Sequence, residues 1–221
     1  MRFSSYYSAI LLLSLGACCA LKPTVQQPLQ AYFSPMLPFD TLQVAIASGE
    51  TDSIVAGTVI SNRLFYSTIP PKLLDVVFEL VDSSDTQIIG RQYFPLEDGI
   101  LAYWVEIRWF WYRFHGILLY DTAKSAFTDY EALAAWYGGD GSQVLMESWI
   151  LDVDGDGKKD IVQCKTLHSI IMGGEEPIDS TEEIGTLKLW KQGHFIAMPV
   201  DDTTRSMGCF RVGTGGANTP K

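Results

Sequence analysis

The sequence predicts a mainly β protein: a single antiparallel domain, meander- or sandwich-like, with one or two short helices. Three observations predict it. Short runs rich in Val, Ile, Tyr and Trp recur between residues 42 and 198, separated by Gly, Pro, Asp and Ser. The longest run alternates with period two, the period of a strand. Hydrophobic residues make up 47% of 221 residues, enough for one sizeable core, and no internal repeat divides the chain.

In chain order, 42–47 and 54–60 read as two strands with Gly49 and Asp52 at the turn between them. Residues 63–68 read as a third strand, closed by Pro70 and Pro71. Residues 72–82 carry two patterns. Lys72, Asp75, Glu79 and Asp82 form a polar stripe at helical spacing, with Pro71 suited to a first turn. Leu74, Val76, Phe78 and Leu80 alternate instead, and the valines favour a hairpin into 87–94 through Ser83-Ser84-Asp85. The hairpin is the preferred expectation.

Residues 100–120 are the most hydrophobic stretch after the N-terminus. Tyr103, Val105, Ile107, Trp109 and Trp111 share one face; Trp104, Glu106, Arg108, Phe110 and Tyr112 share the other. A long, bent or broken strand pair fits, with Gly116 as a bend. Its aromatics suit either core packing or a sugar platform, and core packing is the ordinary use. Glu106 and Arg108, on one face, can pair. Residues 129–137 suggest a short helix, capped by Asp129 and stopped by Gly138 and Gly139. Tyr137-Gly138-Gly139-Asp140-Gly141 reads as a turn. Strands are expected at 143–151 and 160–167. A hairpin is expected from 186–190 and 194–198 around Lys191-Gln192-Gly193. Glu175, Glu176, Glu182 and Glu183 read as a solvated loop, and the chain frays from Gly208.

The N-terminus has a different character. Arg2 precedes an apolar run to Leu15, too short for the ~20 residues of a membrane span. Leu15-Gly16-Ala17-Cys18 then resembles a lipobox, the cleavage and acylation signal of bacterial lipoproteins. The resemblance implies a signal peptide over residues 1–17 and lipid on Cys18. Cys19 follows in place of the aspartate that favours inner-membrane retention, so the implied location is the outer membrane or its periplasmic face. Pro23, Pro28, Pro35 and Pro38 make 18–40 an extended tether, with Tyr32, Phe33 and Leu37 free to dock at its far end. The β domain is expected over 41–207, and 208–221 as a flexible tail.

Without residues 1–17 the chain has 15 basic and 26 acidic residues. That balance argues against nucleic acid as a partner and against electrostatic docking on anionic lipid, and it suits divalent cations. Cys164 and Cys209 are the two cysteines beyond the N-terminal pair. In an oxidising compartment they either pair or stay free.

One motif carries chemistry. Residues 152–160 read D-x-D-x-D-G-x-x-D. Asp152, Asp154, Asp156 and Asp160 can converge because Gly157 permits a sharp turn, and the Lys158 carbonyl can add a fifth oxygen. All-oxygen ligation suits Ca²⁺. Gln163 stands where an EF-hand needs a bidentate glutamate, and strand-like residues flank the loop. It resembles the calcium loops of FG-GAP and VCBS-type repeats, which implies a structural Ca²⁺ held by those five residues.

Three histidines (His115, His168, His194) lack metal-ligand spacing, and no hydrolase or phosphate-loop motif occurs. No catalytic residue is marked. The chain resembles the uncharacterised bacterial lipoproteins that carry a lone acidic loop. That resemblance implies no activity; the leading expectation is a lipid-anchored, Ca²⁺-stabilised binding or envelope-structural module, with a glycan or envelope protein as its partner. The alternative is a hydrolase of glycans or other envelope polymers, which would require two carboxylates facing a cleft.

Overall fold

The computed structural model describes residues 27–46, 57–78, 85–139, 141–171 and 178–199. The lipobox with Cys18, the Gly49–Asp52 turn, Glu175, Glu176, Cys209 and the tail lie outside them.

The first strands among the described residues are short, β1 (Ser34–Pro35) and β2 (Thr41–Val44), after a 3₁₀ turn at Leu29–Tyr32. They are followed by β3 (Thr58–Ile60), α1 (Asn62–Thr68) and α2 (Pro71–Phe78). An unbroken meander completes the domain: β4 (Gln87–Glu97), β5 (Ile100–Trp109), β6 (Tyr112–Asp121), β7 (Ala126–Gly139), β8 (Ser142–Leu151), β9 (Asp160–Ile171), β10 (Ile178–Lys191) and β11 (His194–Met198). All eleven strands belong to one sheet, ordered β1-β4-β5-β6-β7-β8-β9-β10-β11, with β2 on β8 and β3 on β4. Every pairing is antiparallel except that of β1 with β4. The mainly β expectation holds, in its meander form.

Alternation along β5 divides the core. Tyr103, Val105 and Ile107 join Leu29, Phe33, Ile60, Leu64, Phe65 and Ile69 under α1. Ala102 and Trp104 face the other way, with Leu133, Ile150, Ile161, Trp190 and Phe195. That second cluster spans β4 to β11, so the sheet curls around it. The curl brings the β10–β11 turn beside the end of β4: a Cβ on Gly193 would lie 3.7 Å from Glu97 Oε1.

Several local expectations are corrected. β2 and β3 do not pair with each other; they add to β8 and β4. Residues 63–68 form α1, not a strand. Ser61 caps it by accepting from Leu64 N at 3.3 Å, and Phe65 and Ile69, four apart, are both buried. Pro70 ends α1 because a residue before proline leaves the helical region. Residues from Pro71 to Phe78 form α2, not a strand, with Pro71 in the first turn. The rest of the expected hairpin, residues 79–84 with Glu79, Leu80 and Asp82, lies outside the described residues.

Residues 129–137 belong to β7, not to a helix. The segment is paired to β6 along most of its length, and sheet pairing outweighs alanine's helix propensity. A register shift at His115/Gly116 sets an extra residue, Leu133, into β7. The β7–β8 ladder runs only from Ala135↔Met146 outward. Side chains serve the freed carbonyls: Gln163 Nε2 donates to Ala132 O (2.9 Å) and Ser148 Oγ to Leu133 O (2.5 Å). Gly116 is not the bend between β5 and β6. The chain reverses at Phe110–Trp111, between Trp109 and Tyr112. Gly116 instead lies under the Tyr130 ring, where a Cβ would come within 2.3–2.5 Å of ring atoms.

The domain also begins earlier than residue 41. Leu29 and Phe33 are buried, while Leu37 is fully exposed. Glu182 and Glu183 stand on β10, exposed, rather than in a loop. Among the described residues no helix is long and apolar enough to cross a membrane.

Candidate metal centre

The acidic loop joins β8 to β9. Gly155 (φ +75°) and Gly157 (φ +82°) take left-handed conformations, which lets the chain reverse twice in a few residues. Successive aspartates then accept from backbone N–H groups within the turn. Asp152 accepts from Gly155 N (2.7 Å) and Gly157 N (2.9 Å). Asp154 accepts from Asp156 N (3.3 Å), and Asp156 from Lys158 N (2.9 Å). Each aspartate thus organises its own stretch of loop.

The turn brings three of the four predicted carboxylates together. One oxygen each of Asp152, Asp154 and Asp156 lies within 4.8 Å of the others. Oxygens about 2.3–2.6 Å from a shared Ca²⁺ would be no more than about 5 Å apart, so the spacing fits that ion. Asp160 is placed differently. It is buried, and its two oxygens accept from Val153 N (2.9 Å) and Trp190 N (2.9 Å). It fastens the start of the loop to β10 from beneath.

Sequence reasoning missed a fourth partner, Lys191. Its Nζ lies 2.7 Å from Asp154 Oδ2 and 3.1 Å from Asp156 Oδ2. An ammonium therefore neutralises the pair from the surface side. Asp154 and then Asp156 push the Lys191 pKa well above the ordinary lysine value. The Asp156 carboxyl is held low, first by the Lys158 N–H and then by Lys191. No local spacing could reveal this contact, because Lys191 is 35 residues from Asp156.

Two further lysines tie the loop down. Lys158 Nζ meets Glu97 Oε2 at 3.0 Å. Lys158, with the Trp190 indole N–H facing the same carboxyl, holds Glu97 below the usual carboxylate range. Lys159 Nζ donates to Asp40 O (3.0 Å) and sits over the Phe39 ring. The loop therefore contacts β4, β10 and the segment before β2, the parts of the sheet that its curl brings together.

The aromatic strand is mostly core. Tyr103 and Trp104 are buried, whereas Phe110 and Trp111 at the hairpin tip are exposed. Glu106 is fully buried between two guanidinium groups. Arg91 Nε donates to it at 2.8 Å, and Arg108 pairs with its other oxygen, as the shared face allowed. Burial pushes the Glu106 carboxyl up, but Arg108, His115 and Arg91 together outweigh this and hold it below its ordinary value. His115 Nδ1 accepts from the Trp104 indole (3.0 Å). His168 pairs with Asp179 at 2.8 Å, far from His115 in the fold. The histidines form no common site.

Cys164 is buried and disulfide-bonded, and its partner cysteine lies outside the described residues, as does Cys209. A groove of about 340 Å³ lies beside the hairpin tip, lined by Trp111, Trp136, Tyr137, Gly138, Gly139, Ser142 and Gln143. Among the described residues none of the groove's lining is acidic. No family model, curated protein or solved structure matches the chain.

Proposed function

We propose that the chain is a lipid-anchored extracytoplasmic module, acylated on Cys18, whose β domain binds an envelope partner and is pinned by one structural Ca²⁺. The observation that carries the metal reading is the convergence of Asp152, Asp154 and Asp156, already partly neutralised by a lysine ammonium. These three residues would hold the ion, with the Lys158 carbonyl as a further oxygen, and Asp160 would brace the loop. When bound, the ion neutralises carboxylates that otherwise repel one another. It thereby couples metal affinity to the closed, curled form of the sheet. The lipobox residues and the disulfide at Cys164 support an oxidising compartment outside the cytoplasm.

The test is a thermal melt of the mature chain, stripped with chelator and titrated with Ca²⁺ or Mg²⁺. Ca²⁺ is expected to raise the midpoint by several degrees, and Asp154→Ala to abolish the rise. An equal rise in Asp154→Ala, or none in the wild type, removes the metal from the reading.

A further inference from the structure

An antiparallel meander sends alternate turns to opposite ends of the sheet, and here the two ends differ in chemistry. One end carries the β4–β5, β6–β7, β8–β9 and β10–β11 turns, with Glu97, Asp121, Lys124, the acidic loop and Lys191. The other carries the β5–β6 and β7–β8 turns and the adjoining ends of β9 and β10. There Phe110 is 74% and Trp111 59% exposed, and Ile170 and Ile178 are exposed as well. Trp109, Trp111 and Tyr112 pack in a chain of ring contacts, and Tyr112 reaches Tyr137. Among the described residues, the charged groups at this end are Arg108 opposite Arg113 just behind the tip, Asp85, and, toward the β9–β10 side, the His168–Asp179 pair with exposed Glu182 and Glu183.

The tip is also held in an unusual backbone. Phe110 has φ +51°, a left-handed value that bulky side chains rarely adopt. A glycine or asparagine would suit this two-residue turn better. The sequence instead places there two aromatics, Phe110 and Trp111, that are largely exposed.

The path of the N-terminal segment identifies the occupant. β1 runs parallel to β4 and away from the aromatic end, so the chain before β1 comes from that end. The turn that holds Leu29 contacts β3 and α1, and β3 ends with Ile60 opposite Ile88, which pairs with Ile107, three residues before Phe110. Leu29 thus lies at a level about 10 Å from the tip, at ~3.4 Å per strand residue. From Cys18 to Pro28 the chain can reach at most about 36 Å when fully extended. The segment that would carry the Cys18 lipid thus joins the domain from its aromatic end rather than its acidic end.

We infer that Phe110 and Trp111 form a membrane-interface wedge that seats this end of the domain on the bilayer holding the Cys18 lipid. Exposed Trp and Phe, backed by Tyr rings, match the boundary between acyl chains and headgroups. The inference rests on the lipoprotein reading for its orientation, and the experiment separates the two.

Full-length protein is expressed in bacteria, extracted from membranes and reconstituted in phosphatidylethanolamine/phosphatidylglycerol vesicles containing acyl-chain-brominated lipid. Intact mass on the same preparation reads acylation. Tryptophan emission is expected to be quenched in the wild type, and Trp111→Phe to lose at least half of that quenching while staying vesicle-bound. Phe110→Asp should abolish quenching with an unchanged circular dichroism spectrum. Acylated, vesicle-bound protein without quenching overturns the wedge and leaves the lipid reading intact. Quenching that persists in Trp111→Phe overturns it too, as does an emission shift of Trp111 with soluble peptidoglycan fragments but none with vesicles. Quenching without an acyl mass supports the wedge and removes the lipid anchor.

Discussion

Replacing Asp160 with alanine separates a brace from a ligand. Its carboxylate is 1% exposed and accepts two backbone N–H bonds of 2.9 Å, from Val153 and Trp190. A hydrogen bond to a charged acceptor contributes about 1.5–3 kcal/mol. The Trp190 N–H is in the core and would be stranded, so it contributes in full. Val153 is exposed, and water would replace most of its lost bond. The expected destabilisation is therefore about 2–4 kcal/mol, large against a typical total of ~5–15 kcal/mol. Asp160→Asn should lose nearly as much, because its amide turns a donor toward one of the two N–H groups. Urea unfolding, without reductant, should show the midpoint falling by roughly 1–2 M at unchanged slope. The loss should be present in chelator as well as in Ca²⁺. A loss below about 0.5 kcal/mol, or one seen only in Ca²⁺, would refute the brace and restore Asp160 to the ligand set.

Other consequences follow from the same contacts. Gly116→Ala drives a methyl into the Tyr130 ring and should cost about 1–3 kcal/mol in urea unfolding; a neutral result would mean β6 and β7 are farther apart than described. Glu106→Gln leaves the buried Arg91 guanidinium, and the half-buried Arg108 beside it, without their anion and should cost about 3 kcal/mol. Because the folded-state pKa of Glu106 is depressed, its stabilisation is full above the unfolded carboxylate pKa and is lost as pH falls through the folded value. Wild type should therefore lose stability on acidification more steeply than Glu106→Gln, and parallel pH profiles would contradict this. Lys191→Met removes the ammonium from Asp154 and Asp156 and should tighten Ca²⁺ several-fold by calorimetric titration, whereas weaker binding would make Lys191 a support of the site.

From β4 onward the fold is largely legible in the sequence. Faces alternate cleanly along Tyr103 to Arg108, and Gln192-Gly193 supplies a turn between two apolar runs. The failures have physical causes. α1 and α2 carry Leu, Phe, Tyr and Val, whose β preference yields to helix caps at Ser61 and Pro70 and to burial of Leu64 and Phe65. β7 carries alanines that favour a helix in isolation, but its pairing with β6 and its bulge at Leu133 are tertiary events. The reversal at Phe110–Trp111 has no turn residue to announce it, so the bend was sought at Gly116.

The acidic loop was legible as a motif because its ligand spacing is local. Its wiring was not. Asp160 has the residue type of a ligand and the hydrogen bonds of a brace, and Lys191 and Glu97 reach the loop only through the curl of the sheet. Cys164 was legible as a disulfide candidate, and its bond is present, with the partner outside the described residues.

The most direct measurement is calorimetric titration of Ca²⁺ into the chelator-stripped mature chain, beside Asp154→Ala. The account expects one site per chain, lost in the variant, with Mg²⁺ far weaker. No heat of binding in the wild type, or an unchanged isotherm in Asp154→Ala, would leave residues 152–160 as a turn held by its own hydrogen bonds and lysines.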